Sequence, residues 1–213
     1  MANCSDVYGT MTLEGEWTLQ MLADLNTVAK EWASWSYNIV VTDDFTHDCL
    51  SQSFLGCGRW AFNLNLDYLD AWTKGEYPEK PSLRTAYEQL TNEMQLLGGY
   101  IDFTYSEEES GNQILRDGVA RLRAENGGLL IDSLSEQNYE YCWKDFIERD
   151  FCGESMLEDL VAEIFQLLNV EDGRQETFGE AVEQWVMENT APNERAEYLD
   201  EDQLSELRAI IGE

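Results

Sequence analysis

Hydrophobic and polar positions alternate along residues 58–66. Trp60, Phe62, Leu64 and Leu66 fall on one side, and Arg59, Ala61, Asn63 and Asn65 on the other. A period of two marks a strand with one buried face. Two bulky aromatics and two leucines need a covering layer, so the pattern predicts a central strand covered on that face by helices. Further strands are predicted at 7–13, with Val7, Gly9, Met11 and Leu13 on one side, at 37–42, and at 100–105, with Ile101, Phe103 and Tyr105 on one side. Helical spacing runs through 17–32 (Trp17, Met21, Leu22, Leu25, Val28, Ala29, Trp32). It runs again from a Ser82 cap through Leu83, Ala86, Tyr87, Leu90, Met94 and Leu97 to a left-handed stop at Gly98-Gly99. Residues 43–54 read as a polar loop. Residues 69–80, with Gly75 and Pro78, read as a connection. Glu107, Glu108 and Glu109 with Gly111-Asn112 read as an acidic turn, and 114–123 with 129–134 as a hairpin around Asn126-Gly127-Gly128.

After Leu134 the pattern becomes helical. Tyr139, Cys142, Trp143, Phe146 and Ile147 share one helical face. Capping boxes are expected at Ser155 with Glu158, Thr177 with Glu180, and Asp200 with Gln203. They precede the apolar series Met156, Leu157, Leu160, Val161, Ile164, then Phe178, Val182, Trp185, Val186, then Leu204, Leu207, Ile210, Ile211. The order β-α-β-β-α-β, a hairpin and then helices predicts an α+β protein. It divides into an α+β domain over 1–134 and an acidic helical domain or extension over 135–213.

Charge changes the picture most. The chain carries 43 acidic and 13 basic residues, net −30. Duplex DNA carries about one charge per 1.7 Å of axis, so thirty charges correspond to about 50 Å of duplex. A compact chain of this length is about 45 Å across. The protein therefore rivals a DNA segment of its own length. Such a field repels nucleic acid and anionic membranes and attracts basic surfaces. From Glu136 onward there are 22 acids against 5 bases, net −17; the preceding residues hold 21 against 8, net −13. With 7 Trp, 10 Tyr and 8 Phe the chain has the material for a core, unlike a disordered acidic tail. No run approaches a membrane span. No signal peptide is expected from Met1-Ala2-Asn3-Cys4-Ser5-Asp6. Five cysteines without a CxxC pair read as reduced thiols in a cytoplasmic protein.

The run Gly58-Arg59-Trp60-Ala61-Phe62, the Pro81–Leu97 helix, and Tyr100-Ile101-Asp102-Phe103-Thr104-Tyr105 leading into Ser106-Glu107-Glu108-Glu109-Ser110-Gly111 are together similar to the YubB-like ferredoxin-fold proteins of plasmids and phages. The resemblance spans residues 5–134. It implies a ferredoxin-like split βαβ antiparallel sheet with helices on one face and a mobile-element context. It supplies no catalytic residues, and the C-terminal helices lie outside it. In physical type the acidity resembles that of DNA-mimicking anti-restriction and anti-CRISPR proteins.

Other chemistry is weakly signalled. Asp43, Asp44, His47, Asp48 and Cys49 share a loop, but their spacing matches no zinc or calcium pattern, and a single histidine cannot build a multi-histidine site. No Walker loop, GxGxxG or GxSxG motif is present. The expectation is a non-enzymatic inhibitor without cofactor or metal, in the cytoplasm of a bacterial host. It would block the basic groove of a CRISPR effector or restriction enzyme and bind no nucleic acid itself. The residues expected to stand in for phosphates are Glu107, Glu108, Glu109, Glu158, Asp159, Glu163, Glu171, Asp172, Glu180, Glu183, Asp200, Glu201 and Asp202, with Trp72 or Tyr198 as aromatic anchors. Two alternatives stand beside it: a binder of a basic partner acting allosterically or by forced dimerisation, and an enzyme that modifies or cleaves a defence component. Seven tryptophans leave room for a homodimer interface.

Overall fold

The computed structural model describes residues 4–109, 114–140, 143–148 and 153–213. The chain forms two compact units, Met1–Tyr139 and Glu140–Glu213. The division falls at the end of a strand that runs past the change of pattern at Leu134. In the first unit the order is β1 (Cys4–Glu14), α1 (Leu19–Trp32), β2 (Tyr37–Val41), β3 (Ser51–Arg59), α2 (Phe62–Gly75), α3 (Pro81–Leu97), β4 (Tyr100–Glu109), β5 (Ile114–Glu125) and β6 (Gly128–Glu140). The strands make one six-stranded antiparallel sheet in the order β2-β3-β1-β4-β5-β6, with helices packed on it. β3 lies between β1 and β2 and is antiparallel to both.

Most of the patterned elements form where their spacing places them. α1 is capped by Thr18, whose hydroxyl accepts from Met21 N at 3.1 Å, and buries Met21, Leu22, Leu25, Val28, Ala29 and Trp32. α3 begins at Pro81, so Ser82 lies inside it rather than capping it; Lys80 is the N-cap and makes no side-chain cap bond, and the helix stops at Gly98 in the left-handed region, φ 76°. Asn126 and Gly127, both at positive φ (52° and 74°), make the two-residue turn between β5 and β6, the turn whose twist suits a tight hairpin.

Residues 58–66 are a correction. β3 ends at Arg59, Trp60 sits in the left-handed region at φ 71°, and α2 begins at Phe62. The alternation is split. Phe62, Leu66, Leu69 and Thr73 share the buried helical face, while Trp60 and Leu64 are exposed. Apolar residues four apart satisfy both periods, so a local pattern cannot choose between them. The choice is made by hydrogen bonds. Asn65 Nδ2 donates to the carbonyls of Ala61 (2.9 Å) and Arg59 (3.0 Å), and Phe62 N donates to the Glu107 carboxylate at 2.6 Å. The strand itself lies earlier, in the expected loop. Ser51, Ser53, Leu55 and Cys57 occupy its exposed side, and Phe54 and Gly56 its buried side. The connection at 69–80 is in its first part helix α2.

The core of this unit is one cluster formed by the inward side chains of the sheet and α1, α2 and α3. Phe62 is its aromatic centre. Its ring lies 5.3 Å from Phe54, 5.7 Å from Phe103 and 4.7 Å from Tyr105. Tyr105 reaches sideways over β5 at Gly118, where a Cβ would run into its ring.

The second unit holds α4 (Trp143–Glu148), α5 (Gly153–Leu167), α6 (Asp172–Asn189) and α7 (Glu201–Ile211). It has a core of its own from Trp143, Leu157, Leu160, Ile164, Val182, Trp185, Val186, Leu207 and Ile211. Trp143 Nε1 donates to Thr190 Oγ1 at 2.8 Å, and Trp185 Nε1 to Glu206 at 2.9 Å. The Asp200–Gln203 capping box is present. The other two are not. α5 has begun by Gly153, so Ser155 is inside it. α6 begins at Asp172, so Thr177 is interior and its hydroxyl donates to Gly173 O at 3.0 Å. Tyr139 belongs to β6 rather than to a helix. Gly111, Asn112, Cys142 and Cys152 lie outside the described residues. Among those described, no helix is long and apolar enough to cross a membrane.

Gly118→Val is expected to displace Tyr105 and lower stability by about 1–3 kcal/mol, the usual cost of overpacking. Gly75→Ala, with open space around it, should leave stability unchanged or raise it by up to about 1 kcal/mol. Urea unfolding of both variants checks the contrast.

Candidate functional site

The thirteen acidic residues singled out in the sequence fall into two groups with opposite surroundings. Glu107, Glu108 and Glu109 do not form a solvent-facing turn. They are the last residues of β4, and all three are buried. Arg116 stands directly opposite Glu107 on β5. Its guanidinium pairs with Glu107 and, at 2.9 Å, with Glu109. Its Nε donates to Asn138 Oδ1 at 2.9 Å, with Glu136 at 3.8 Å. Tyr105 Oη donates to Glu136, and Asn63 Nδ2 donates to the same carboxylate at 3.0 Å. Burial pushes the Glu107 carboxyl above its ordinary value, against its bonds to Ser5, Arg116 and Phe62 N. Burial also opposes the charge on Arg116, but its two carboxylate partners outweigh that and hold its pKa up. This cluster joins β4, β5, β6 and the start of α2. It presents no carboxylate row to a partner.

The other ten residues belong to the second unit. Glu158, Asp159, Glu163, Glu171, Asp172, Glu180, Asp200, Glu201 and Asp202 are exposed, and Glu183 is half-buried. Among the described residues none of them pairs with a Lys or Arg. This unit carries 21 acidic and 5 basic residues, net −16, in 74 residues. α6 concentrates the effect. Its buried residues, Val182, Trp185 and Val186, all lie in its C-terminal half. Its N-terminal half carries Asp172, Glu176 and Glu180 at i, i+4, i+8, with Glu188 two further turns along, all exposed. Glu176 completes a row that the sequence reading missed, because it began the helix at Thr177. The i, i+4 period from Asp172 was the available signal.

Like charges four apart cost a helix about 0.2–0.5 kcal/mol per pair, so this row is held by the packing of the rest of the unit. Gln175 Nε2 donates to Val170 O at 2.7 Å, and Arg174 bonds to Ile211 O. Successive carboxylates in the row are about 6 Å apart along the axis, roughly half the charge density of one DNA strand. Asp159 and Glu163 on α5, which packs against α6, add a second row. At the start of α7, Asp200 is committed to Gln203 N at 2.8 Å, leaving Glu201 and Asp202 exposed.

Of the two proposed anchors, Tyr198 is exposed, but Trp72 is packed on the core, its ring 6.0 Å from Trp35. His47 and Cys49 occupy a short exposed loop closed by a Thr46–Cys49 bridge. Among the described residues no group of three or more His, Cys, Asp and Glu is arranged to hold a metal.

Arg116→Met would strand two buried carboxylates, and the expected cost at about pH 8 is about 3–5 kcal/mol. Glu107 already has a raised folded-state pKa. The stability a protonated Glu107 brings is therefore full below the ordinary glutamate value and lost as pH rises through the folded value. The deficit of the variant relative to wild type should shrink at about pH 5. Urea unfolding at both pH values tests this.

Compared with protein-family models, curated proteins and solved structures, the chain matches none, so its site is argued from its own residues.

Proposed function

We propose that this chain is a stoichiometric inhibitor encoded by a phage or other mobile element. It acts in the bacterial cytoplasm on a nucleic-acid-targeting defence complex, a CRISPR effector or a restriction enzyme. The carrying observation is the row Asp172, Glu176, Glu180 on the solvent-facing half of α6, without basic partners among the described residues, on a unit of net −16. Carboxylates fixed on packed helices bind an Arg- and Lys-lined groove with less loss of conformational freedom than a loose acidic tail. In this reading Glu107, Glu108 and Glu109 are structural, and the contact set is drawn from the second unit. The protein needs no cofactor and binds no nucleic acid.

The first unit is read as a ferredoxin-like split βαβ sheet extended by a hairpin. The order β2-β3-β1-β4, with β3 between the parallel pair β1 and β2, supports this, as does the β-α-β-β order that opens the chain. Two consecutive helices, α2 and α3, stand between β3 and β4.

A labelled DNA duplex bound to a Cas9–guide complex and to a type I restriction enzyme provides the test. The chain is expected to displace DNA from one of them at equimolar amounts, with affinity falling steeply as salt rises. The triple change Asp172→Asn, Glu176→Gln, Glu180→Gln should weaken that displacement about tenfold or more, about 1.4 kcal/mol or more. DNA binding that survives saturating inhibitor on both complexes, or inhibition at substoichiometric amounts, would sink the reading.

A further inference from the structure

We infer that the sheet face opposite the helices is the interface of a homodimer, with a second copy of this chain as its occupant. The strand registers define this face, because residues directly opposite each other point to the same side. One row across the sheet is Val40, Leu55, Tyr8, Ser106, Asp117. The neighbouring row is Ser53, Thr10, Thr104, Val119. Leu55 is 57% exposed, Val119 50%, Tyr8 49% and Val40 43%. Four large apolar side chains on one flat face, ringed by hydroxyls, are what a sheet-on-sheet contact buries.

Charge selects the occupant. These two rows contain one charged residue, Asp117, and it is bonded to Ser106 (2.6 Å) and Tyr139 (2.7 Å). In the next row Asp102 and Arg121 neutralise each other at 2.5 Å. On a chain of net −30 these rows make a weakly charged patch, bounded beyond Tyr8 by a row that holds the acids Asp6 and Glu108. A basic partner would find no row of carboxylates to pair with here, whereas two strongly acidic copies repel least where charge is lowest.

Area agrees. Six strands span about 24 Å, and eight residues along them about 27 Å. That is about 650 Å² per copy and about 1,300 Å² in total, within the range of specific interfaces. A competing exposed apolar surface among the described residues is the stripe Trp60, Leu64, Tyr68 on and before α2. It is one helix wide and falls short of that area. The inference is independent of the inhibitor reading, which stands on the second unit.

Sedimentation equilibrium of the full chain tests it at about 50 mM and about 500 mM salt, where the Debye length falls several-fold. A dimer is expected, with Kd falling about threefold or more at the higher salt. That is the reverse of the salt response expected for a basic target. Leu55→Asp should be monomeric at about 100 μM, a concentration at which interfaces of this size hold. Val119→Asp, on a different strand, should behave alike, so that a folding defect in one variant leaves the other to decide. Circular dichroism checks that each is folded. Leu64→Asp should remain dimeric. A wild-type monomer at both salts, a dimer that survives the changes at Leu55 and Val119, or one broken by Leu64→Asp would each overturn the assignment.

Discussion

One carboxylate, that of Glu107, ties the first unit together. It accepts the Phe62 amide at 2.6 Å and pairs with Arg116 in a site almost closed to water. Burying an ion pair costs several kcal/mol per ion, and attraction offsets this only when the remaining hydrogen-bonding capacity is satisfied. Asn138, Glu109 and Glu136 complete the partners of Arg116. The pair therefore contributes little to net stability and a great deal to uniqueness. A one-residue slip between β4 and β5 would turn Arg116 to the other face of the sheet and leave Glu107 buried without it. The same carboxylate sets where α2 begins, and thereby seats the Phe62 ring among Phe54, Phe103 and Tyr105. Register, helix start and aromatic core are one problem with one solution.

That coupling explains what could be read from the chain and what could not. α1, α3, β4 and the Asn126-Gly127 turn are written in local terms: an apolar stripe, a cap, a glycine stop, a turn pair. Each forms near where its own residues place it, although α3 starts without the Ser82 cap and β4 runs four residues past its expected end to Glu109. The boundary at Trp60 is not local. Phe62 and Leu66 fit a strand or a helix equally, and the group that decides is 45 residues away on β4. β3 was hidden for the opposite reason. Its outward side is serine and cysteine with the single Leu55 among them, and its inward side includes Gly56, where a Cβ would meet Val7 and Tyr37. A strand that makes room for its neighbours' side chains has little hydrophobic signal of its own.

Acid clusters in a sequence carry no label for burial. Glu107, Glu108 and Glu109 look like an exposed run, yet two of them face the core because Arg116 is there to meet them. Asp172, Glu176 and Glu180 look less dense and are the exposed row. The difference was legible only through the length of α6. Once the helix is begun at Asp172 rather than at Thr177, carboxylates that seemed scattered fall into line at four-residue intervals.

The distribution of charge then divides the surface into two kinds. Where acids stand in rows on helices of the second unit, the field is strong and repels another copy of the chain. It suits only a surface of opposite sign. Where the sheet of the first unit lies open, the acids are either neutralised, as Asp102 is by Arg121, or bonded to neighbouring hydroxyls, as Asp117 is. Neutralising charge on an open sheet face removes the usual guard against association. Exposed apolar positions such as Val40, Leu55 and Val119 on that face add nothing to the solubility of a chain this acidic. On so weakly charged a face they meet little repulsion from a second surface of the same kind, which is the property the proposed dimer contact would use.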